Sequence, residues 1–303
     1  MALSACRAAG PVQPVPFPGA AGTVRVLLPG GRVASVDLES YVRSTVAAES
    51  WVPPGERPEV RARMLQIQAI VARTFAMASR GRHSDRNADV CATTHCQLFR
   101  ESRDAGDRDD AIARAAQATR GRLLLFEGEP ALALFHAACG GATTAADEVW
   151  GGTPLPYLRG GDDAVCRRSP VWETRLSLPT VVQVLDADPR TRVGGRLQAI
   201  IIEATDASGR VSRVRLAGVH QPVVRGEVLR ARLTAGFGPR AVRSTRFRVV
   251  LEGQTLVFRG TGFGHGAGLC QRGALARLRD GAQVEEVLAH YYPGTRVGRA
   301  GST

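Results

Sequence analysis

Apolar positions along this chain follow two rhythms, and the change between them outlines its organisation. Val24-Arg25-Val26-Leu27-Leu28 and Val33 to Val36 flank Gly30-Gly31, which predicts two strands joined by a turn. Helical spacing follows. Leu38, Tyr41, Val42 and Val46 form one stripe behind Asp37, a residue suited to capping, and predict a helix from about 38 to 50. Pro53-Pro54-Gly55 interrupts the chain, and a longer helix is predicted from about 58 to 80 with Pro58 in its first turn. Residues 81–108 are polar and read as loop. A short helix is predicted at 109–119, ending before Gly121. Residues 123–126 and 131–135 flank Glu127-Gly128-Glu129-Pro130 as a hairpin.

From 172 to 258 the rhythm turns to strands: Ile200 to Thr205, Val211 to Leu216, Phe247 to Leu251 and Leu256 to Phe258, with Asp206-Ala207-Ser208-Gly209 as a turn. A glycine-rich loop at 260–268 and helices near 274–279 and 284–291 complete the chain. The class expected is α+β, a helix-bearing core with an inserted β-rich subdomain. The divisions expected are a tether at 1–22, core at 23–171, insertion at 172–258 and core again at 259–303.

Composition narrows the classes. In 303 residues, 44% hydrophobic content is too high for a disordered chain. No apolar run approaches the ~18–20 residues of a membrane-spanning helix. The net charge is +12, and all 40 basic residues are Arg. That charge allows a polyanion partner or a plain compositional bias towards Arg. Nucleic acid is disfavoured, because aromatics at 5% leave few stacking platforms and no nucleic-acid motif is present. The basic residues are interleaved with acids except at 225–248, where seven Arg accompany one Glu. If that stretch has a role, it is expected to hold a polyanion or a partner.

Six cysteines are too sparse for a disulfide-dense scaffold. Leu3-Ser4-Ala5-Cys6 matches the processing box of a bacterial lipoprotein, with Cys6 as the lipidated residue, or matches it by chance. Residues 11–18 alternate proline and read as an extended tether.

Four places carry candidate chemistry. Glu49 falls at the next step of the Leu38–Val46 stripe, near a helix C-terminus. Burial and the negative end of the helix dipole both raise a carboxyl pKa, which suits a general acid. His83, Cys91, His95 and Cys96 place N and S donors within 14 residues of loop, which suggests zinc, a local disulfide or a free thiol pair. Gly262 to Gly268 has no dinucleotide register; its alternating glycines let backbone approach closely around His265. Phe135-His136-Ala137-Ala138-Cys139 places a thiol near a His. A disulfide of Cys139 with Cys166 is preferred there over a free buried Cys and over catalysis.

Together these motifs resemble the stage II sporulation protein D (SpoIID/LytB) family. The matching stretches are Leu38 to Val42 with Val46-Ala47-Ala48-Glu49, Gln68 to Thr74, Asp89 to Gln97, Phe135-His136-Ala137 and Val149-Trp150-Gly151. They continue with Pro156-Tyr157-Leu158, Arg243 to Phe247, Gly264-His265-Gly266 with Gln271, and Tyr291 to Thr295. The order is collinear over about 23–297.

The resemblance implies peptidoglycan as the substrate. Catalytic members are lytic transglycosylases that cut MurNAc–GlcNAc linkages of denuded glycan strands, leaving 1,6-anhydro ends; related members enhance a cell-wall amidase. It makes Glu49 the catalytic acid. It implies zinc held by His83, Cys91 and Cys96, with His95 the alternative His. Arg73, Gln97, His136, His265 and Gln271 become candidates for lining the sugar cleft. Partners would be glycan strands and a wall amidase, with membrane contact only through a lipid at Cys6. The location implied is the cell envelope outside the cytoplasmic membrane. Cys139 and Cys270 stand where the family usually has a small residue and Ser.

Overall fold

The computed structural model describes residues 22–101 and 110–299. The expected lipidation site, Cys6, and the tether at 1–21 lie outside the described residues. Eight helices and sixteen strands in several small sheets give the expected α+β class among the described residues. In chain order they are β1 (Thr23–Leu27), β2 (Val33–Asp37), α1 (Leu38–Glu49), α2 (Pro58–Ala78), β3 (Val90–Cys91), α3 (Asp110–Ala118), β4 (Arg122–Phe126) and β5 (Glu129–Pro130). Next come β6 (Phe135–His136), β7 (Ala142–Thr144), α4 (Ala146–Trp150), β8 (Gly160–Asp162), β9 (Val171–Ser177), α5 (Leu178–Asp186), β10 (Leu197–Thr205), β11 (Val211–Gly218) and β12 (Val223–Arg225). The series ends with α6 (Gly226–Phe237), β13 (Phe247–Glu252), β14 (Thr255–Thr261), β15 (Leu269–Cys270), α7 (Gln271–Arg279), α8 (Val284–Tyr291) and β16 (Arg296–Arg299).

The chain divides into two compact units, 1–134 with 277–303, and 135–276. The composition change at 172 therefore does not mark the division. Strand pairing explains the earlier boundary. Phe135 and His136 of β6 pair with Leu269 and Cys270 of β15 within the second unit, and a two-residue ladder leaves no periodic signal in the sequence.

In the first unit, Asp37 caps α1 by accepting the Ser40 N–H at 2.9 Å. The stripe of α1 behaves as its spacing predicts: Leu38, Tyr41, Val42 and Val46 are buried, with Leu65, Ala69 and Phe75 of α2 in the same apolar cluster. A single polar contact organises this apolar cluster. Arg73 of α2 is fully buried, and its Nε and Nη2 donate to the two carboxylate oxygens of Glu39 at 2.9 and 2.7 Å. The same guanidinium also donates to the carbonyls of Ala69, Ala116 and Arg122. One side chain thus ties α1, α2, α3 and β4 together. Arg73 is structural and presents nothing to a sugar, which corrects its expected place in a cleft. Of the predicted hairpin, only Leu125 and Phe126 pair with Pro130 and Glu129; Leu123 and Leu124 pair instead with β16.

In the second unit, β10-β11-β12 and β13-β14-β9 form two three-stranded sheets. The strands expected here are present, but α5 and α6 are additions to the β-rich reading. Val181 with Leu185 and Leu229 with Leu233 are buried pairs at four-residue spacing, and that is the signal of both helices. Helix α6 also occupies the Arg-rich stretch. Arg230 pairs with Glu227, Arg232 donates to the Val184 carbonyl at 2.5 Å, and Arg246 donates to the Gly140 carbonyl at 2.7 Å. Much of that charge is internal scaffolding rather than a free basic face.

Replacing Arg73 leaves a buried carboxylate without its cation. Arg73→Met is expected to destabilise the protein by about 3–5 kcal/mol, with Arg73→Met/Glu39→Leu recovering part of the loss. Urea denaturation followed by circular dichroism reads both.

Candidate active site and metal centre

Glu49 is the last residue of α1, a helix with no basic residue in its last turn. The next residue, Ser50, turns into extended backbone, and its N–H still reaches the Val46 carbonyl at 3.0 Å. The Glu49 side chain is partly buried, and its Oε1 accepts the Leu98 N–H at 2.7 Å. Burial raises its pKa above the ordinary carboxyl value, and the Leu98 hydrogen bond opposes that shift without cancelling it.

The segment holding Leu98 is fixed from behind. Tyr41 of α1 donates its hydroxyl to Gln97 Oε1 at 3.0 Å and stacks on Phe99 at a centroid distance of 5.5 Å. Burial pushes the Tyr41 phenol up, so it remains a donor. Gln97 is fully buried, and its Nε2 has no hydrogen-bond partner. In this conformation it braces the segment beside Glu49 rather than lining an open surface. Immediately past the helix, Trp51 is 53% exposed.

The expected metal residues converge in the same unit. Residues 83–88 form a tight reversal in which His83 and Ala88 exchange backbone hydrogen bonds across Asn87, a residue at φ +54°. Asp89 then anchors the segment by accepting from the Arg25 backbone and side chain and from the Gly81 N–H. Arg25 holds the Asp89 carboxyl below its usual range, against the opposing push of burial. Pairing of Leu27 with Cys91 sets the thiol of β3.

His83 Nε2 lies 3.2 Å from Cys96 Sγ, and His95 Nδ1 lies 3.5 Å from Cys91 Sγ and 3.7 Å from Cys96 Sγ. All four donor atoms are within 4.8 Å of one another. Bond lengths of ~2.0–2.3 Å around tetrahedral zinc give edges of roughly 3.5 Å, so the donors fit that ion as they stand. The Cys96 thiol holds Cys91 down, to about 3, while Cys96 itself is pushed up. His83 and His95 were alternatives in the sequence; here both converge with the two sulfurs.

The remaining expected residues belong to the second unit. His136 of β6 is buried, with Nδ1 3.2 Å from the Ala267 carbonyl and Nε2 without a partner. Burial, His265 and Arg210 all hold its pKa well below that of an ordinary imidazole. His265 is pushed down to about 4, first by burial. Its Nδ1 accepts the Ala267 N–H at 3.1 Å. Both rings are neutral at pH 7. The flanking glycines have steric reasons: at Gly264 (φ +102°) a Cβ would lie 2.8 Å from the His136 Cβ, and at Gly266 (φ +91°) one would meet the Arg210 guanidinium at 2.2 Å. Gln271 opens α7 and is buried.

Sequence reasoning gave no role to Trp150, which is 47% exposed and packs its ring 5.0 Å from His265. Trp51 was likewise passed over. Exposure separates these two from ordinary core aromatics, and a sequence does not display it.

Residues 30–126, which hold Glu49 and all four candidate metal donors, match the family described as Stage II sporulation protein. The chain is 28% identical to stage II sporulation protein D of Bacillus amyloliquefaciens over 290 residues, covering 89% of this chain and 76% of that protein. This chain is related to stage II sporulation protein D. Its likeness to the Bacillus subtilis stage II sporulation protein D is 24% over 286 residues, covering 88% of this chain and 76% of that protein. It is also 21% identical to the amidase enhancer of Bacillus subtilis, across 76% of this chain and 37% of that protein. Among the described residues, no helix is long and apolar enough to cross a membrane.

Because the folded state raises the Glu49 pKa, the sign of its pH effect is set. Below about pH 4 both folded and unfolded forms are protonated and the residue is neutral in stability. Above that, the unfolded state ionises first and Glu49 costs stability, fully so once pH passes its folded pKa. Glu49→Gln is expected to raise Tm at pH 7 and to leave it unchanged near pH 4. Thermal melts at the two pH values check this.

Proposed function

We propose that the chain acts on the cell wall as a peptidoglycan lytic transglycosylase, outside the cytoplasmic membrane. The observation that carries the reading is Glu49: a partly buried carboxyl with a raised pKa, oriented by the Leu98 N–H at a helix C-terminus. The relatives named for sporulation and for amidase enhancement support a cell-wall role.

In this reaction neutral Glu49 gives its proton to the glycosidic oxygen as the bond to C1 of N-acetylmuramic acid breaks. The resulting carboxylate takes the proton of the C6 hydroxyl, and O6 closes on C1 to form the 1,6-anhydro ring. The proton count of Glu49 is restored and no water enters. A second carboxylate to activate water is therefore not required. Trp51, exposed two residues beyond the acid, offers an apolar face to a pyranose ring.

Zinc held by Cys91, Cys96, His83 and His95 would supply a structural cross-link. Held in this way, the four residues would fix the segment that continues into Gln97 and Leu98, and so the amide that orients Glu49.

The second reading is an amidase enhancer on the same fold, favoured by the amidase-enhancer relative and by the burial of Arg73 and Gln97. Digestion of denuded glycan strands separates the two. Purified protein is expected to release anhydro ends, and Glu49→Gln to lose roughly 10²–10⁴-fold in kcat. Activity is expected to fall as pH rises past the Glu49 pKa. Trp51→Ala is expected to raise KM about tenfold, or ~1.4 kcal/mol, with kcat little changed. Wild-type activity in Glu49→Gln, or stimulation of an amidase with no glycan cleavage, would overturn the enzyme reading.

A further inference from the structure

The second unit contains a cluster that the proposed chemistry does not use. Cys139, Asp163, Cys166 and Cys270 are all fully buried, and their Sγ and carboxylate oxygen atoms lie within 4.8 Å of one another. Cys139 Sγ is 3.2 Å from Asp163 Oδ2, and Cys166 Sγ is 3.6 Å from Cys270 Sγ. The expected Cys139–Cys166 disulfide is absent, and all three thiols are free. We propose that these four residues form a second, closed zinc site.

Three observations support this. First, the donors come from three separate segments of one unit: the turn after β6, the 3-10 turn Ala164–Cys166 with the residue before it, and the junction of β15 with α7. A disulfide would use two sulfurs and leave a thiol and a carboxylate buried. A single divalent ion would take all four donors at once.

Second, backbone N–H groups are aimed at the sulfurs. Cys139 N–H and Gly273 N–H point to Cys270 Sγ at 3.2 and 3.3 Å, and Gly141 N–H points to Cys139 Sγ at 3.3 Å. Gly140 (φ +80°) and Gly141 (φ +120°) supply the left-handed turn that brings the last of these round. The outward carbonyls are held by cations: Arg210 donates to the Cys139 carbonyl at 2.8 Å and Arg246 to that of Gly140 at 2.7 Å. Such N–H contacts stabilise thiolates, and the start of α7 adds its dipole at Cys270.

Third, the spacing suits a single ion. Zn–S and Zn–O bonds of ~2.0–2.3 Å give tetrahedral edges of roughly 3.3–3.8 Å; the S···S contact of 3.6 Å falls within that range and the S···O contact of 3.2 Å just below it. Three sulfurs and one oxygen select zinc over magnesium or calcium. Four protein ligands leave no open position, so the site is structural. It would fix His136, which pairs with Cys270 across β6 and β15, and Gln271, the next residue in the chain.

The test is metal content of the full chain, purified without chelator or added reductant, read by plasma mass spectrometry alongside intact mass. About two zinc ions per chain are expected, falling to about one in Cys91→Ser/Cys96→Ser and to about one in Cys139→Ser/Cys166→Ser. If the latter does not fold, the former decides alone: an ion retained there supports the second site, and its absence overturns it. A disulfide among Cys139, Cys166 and Cys270 in the wild-type protein also overturns it. A wild-type chain with one ion, retained in Cys91→Ser/Cys96→Ser, would support this site and count against the first.

Discussion

The buried pair of Arg73 and Glu39 is the contact on which the first unit depends. An apolar cluster holds α1 and α2 together without specifying how far one slides along the other, since hydrophobic contact is non-directional. A bidentate guanidinium–carboxylate contact has one geometry. Its further hydrogen bonds to carbonyls of Ala116 and Arg122 extend that geometry to α3 and β4. Glu39 sits in the first turn of α1 and Glu49 ends the same helix. A rigid rod thus carries the registration set at one end to the acid at the other. Lys could not replace Arg73, because a single ammonium cannot serve a carboxylate and three carbonyls on different elements.

What the sequence displayed and what it hid follow from the range of the interactions. The bounds of α1 and α8 were legible because stripe and capping residues are local signals. Glu49 was legible for the same reason: it continues a stripe whose members are all buried. Arg73 was misread, because its place in a motif says that it matters without saying whether it faces a ligand or a carboxylate 34 residues away. The β6–β15 ladder joins residues more than a hundred positions apart, so the unit boundary could not be seen in local composition. Helix α5 was hidden by its β-branched content and α6 lies between strands with a Gly at its start and another near its end, although each shows the four-residue spacing of its buried pair.

The two cysteine clusters are instructive together. At Cys91 and Cys96 the donors lie close in sequence, so spacing alone raised the idea of a metal. At Cys139, Cys166 and Cys270 the partners are distant, and two sulfurs read in isolation suggest a disulfide. Only convergence with a third sulfur and a carboxylate changes that reading. In both places backbone turns with left-handed residues, Asn87 in one and Gly140-Gly141 in the other, bring the donors round.

The Leu98 amide has a consequence for the handedness of the acid. A carboxyl group has two equivalent oxygens until something distinguishes them. With an N–H directed at Oε1, a proton on that oxygen would face another hydrogen, so the proton of the neutral form resides on Oε2. The two oxygens are therefore inequivalent in the folded protein. A proton leaving the neutral group would then leave from one lateral side of the carboxyl plane, the side away from the Leu98 N–H.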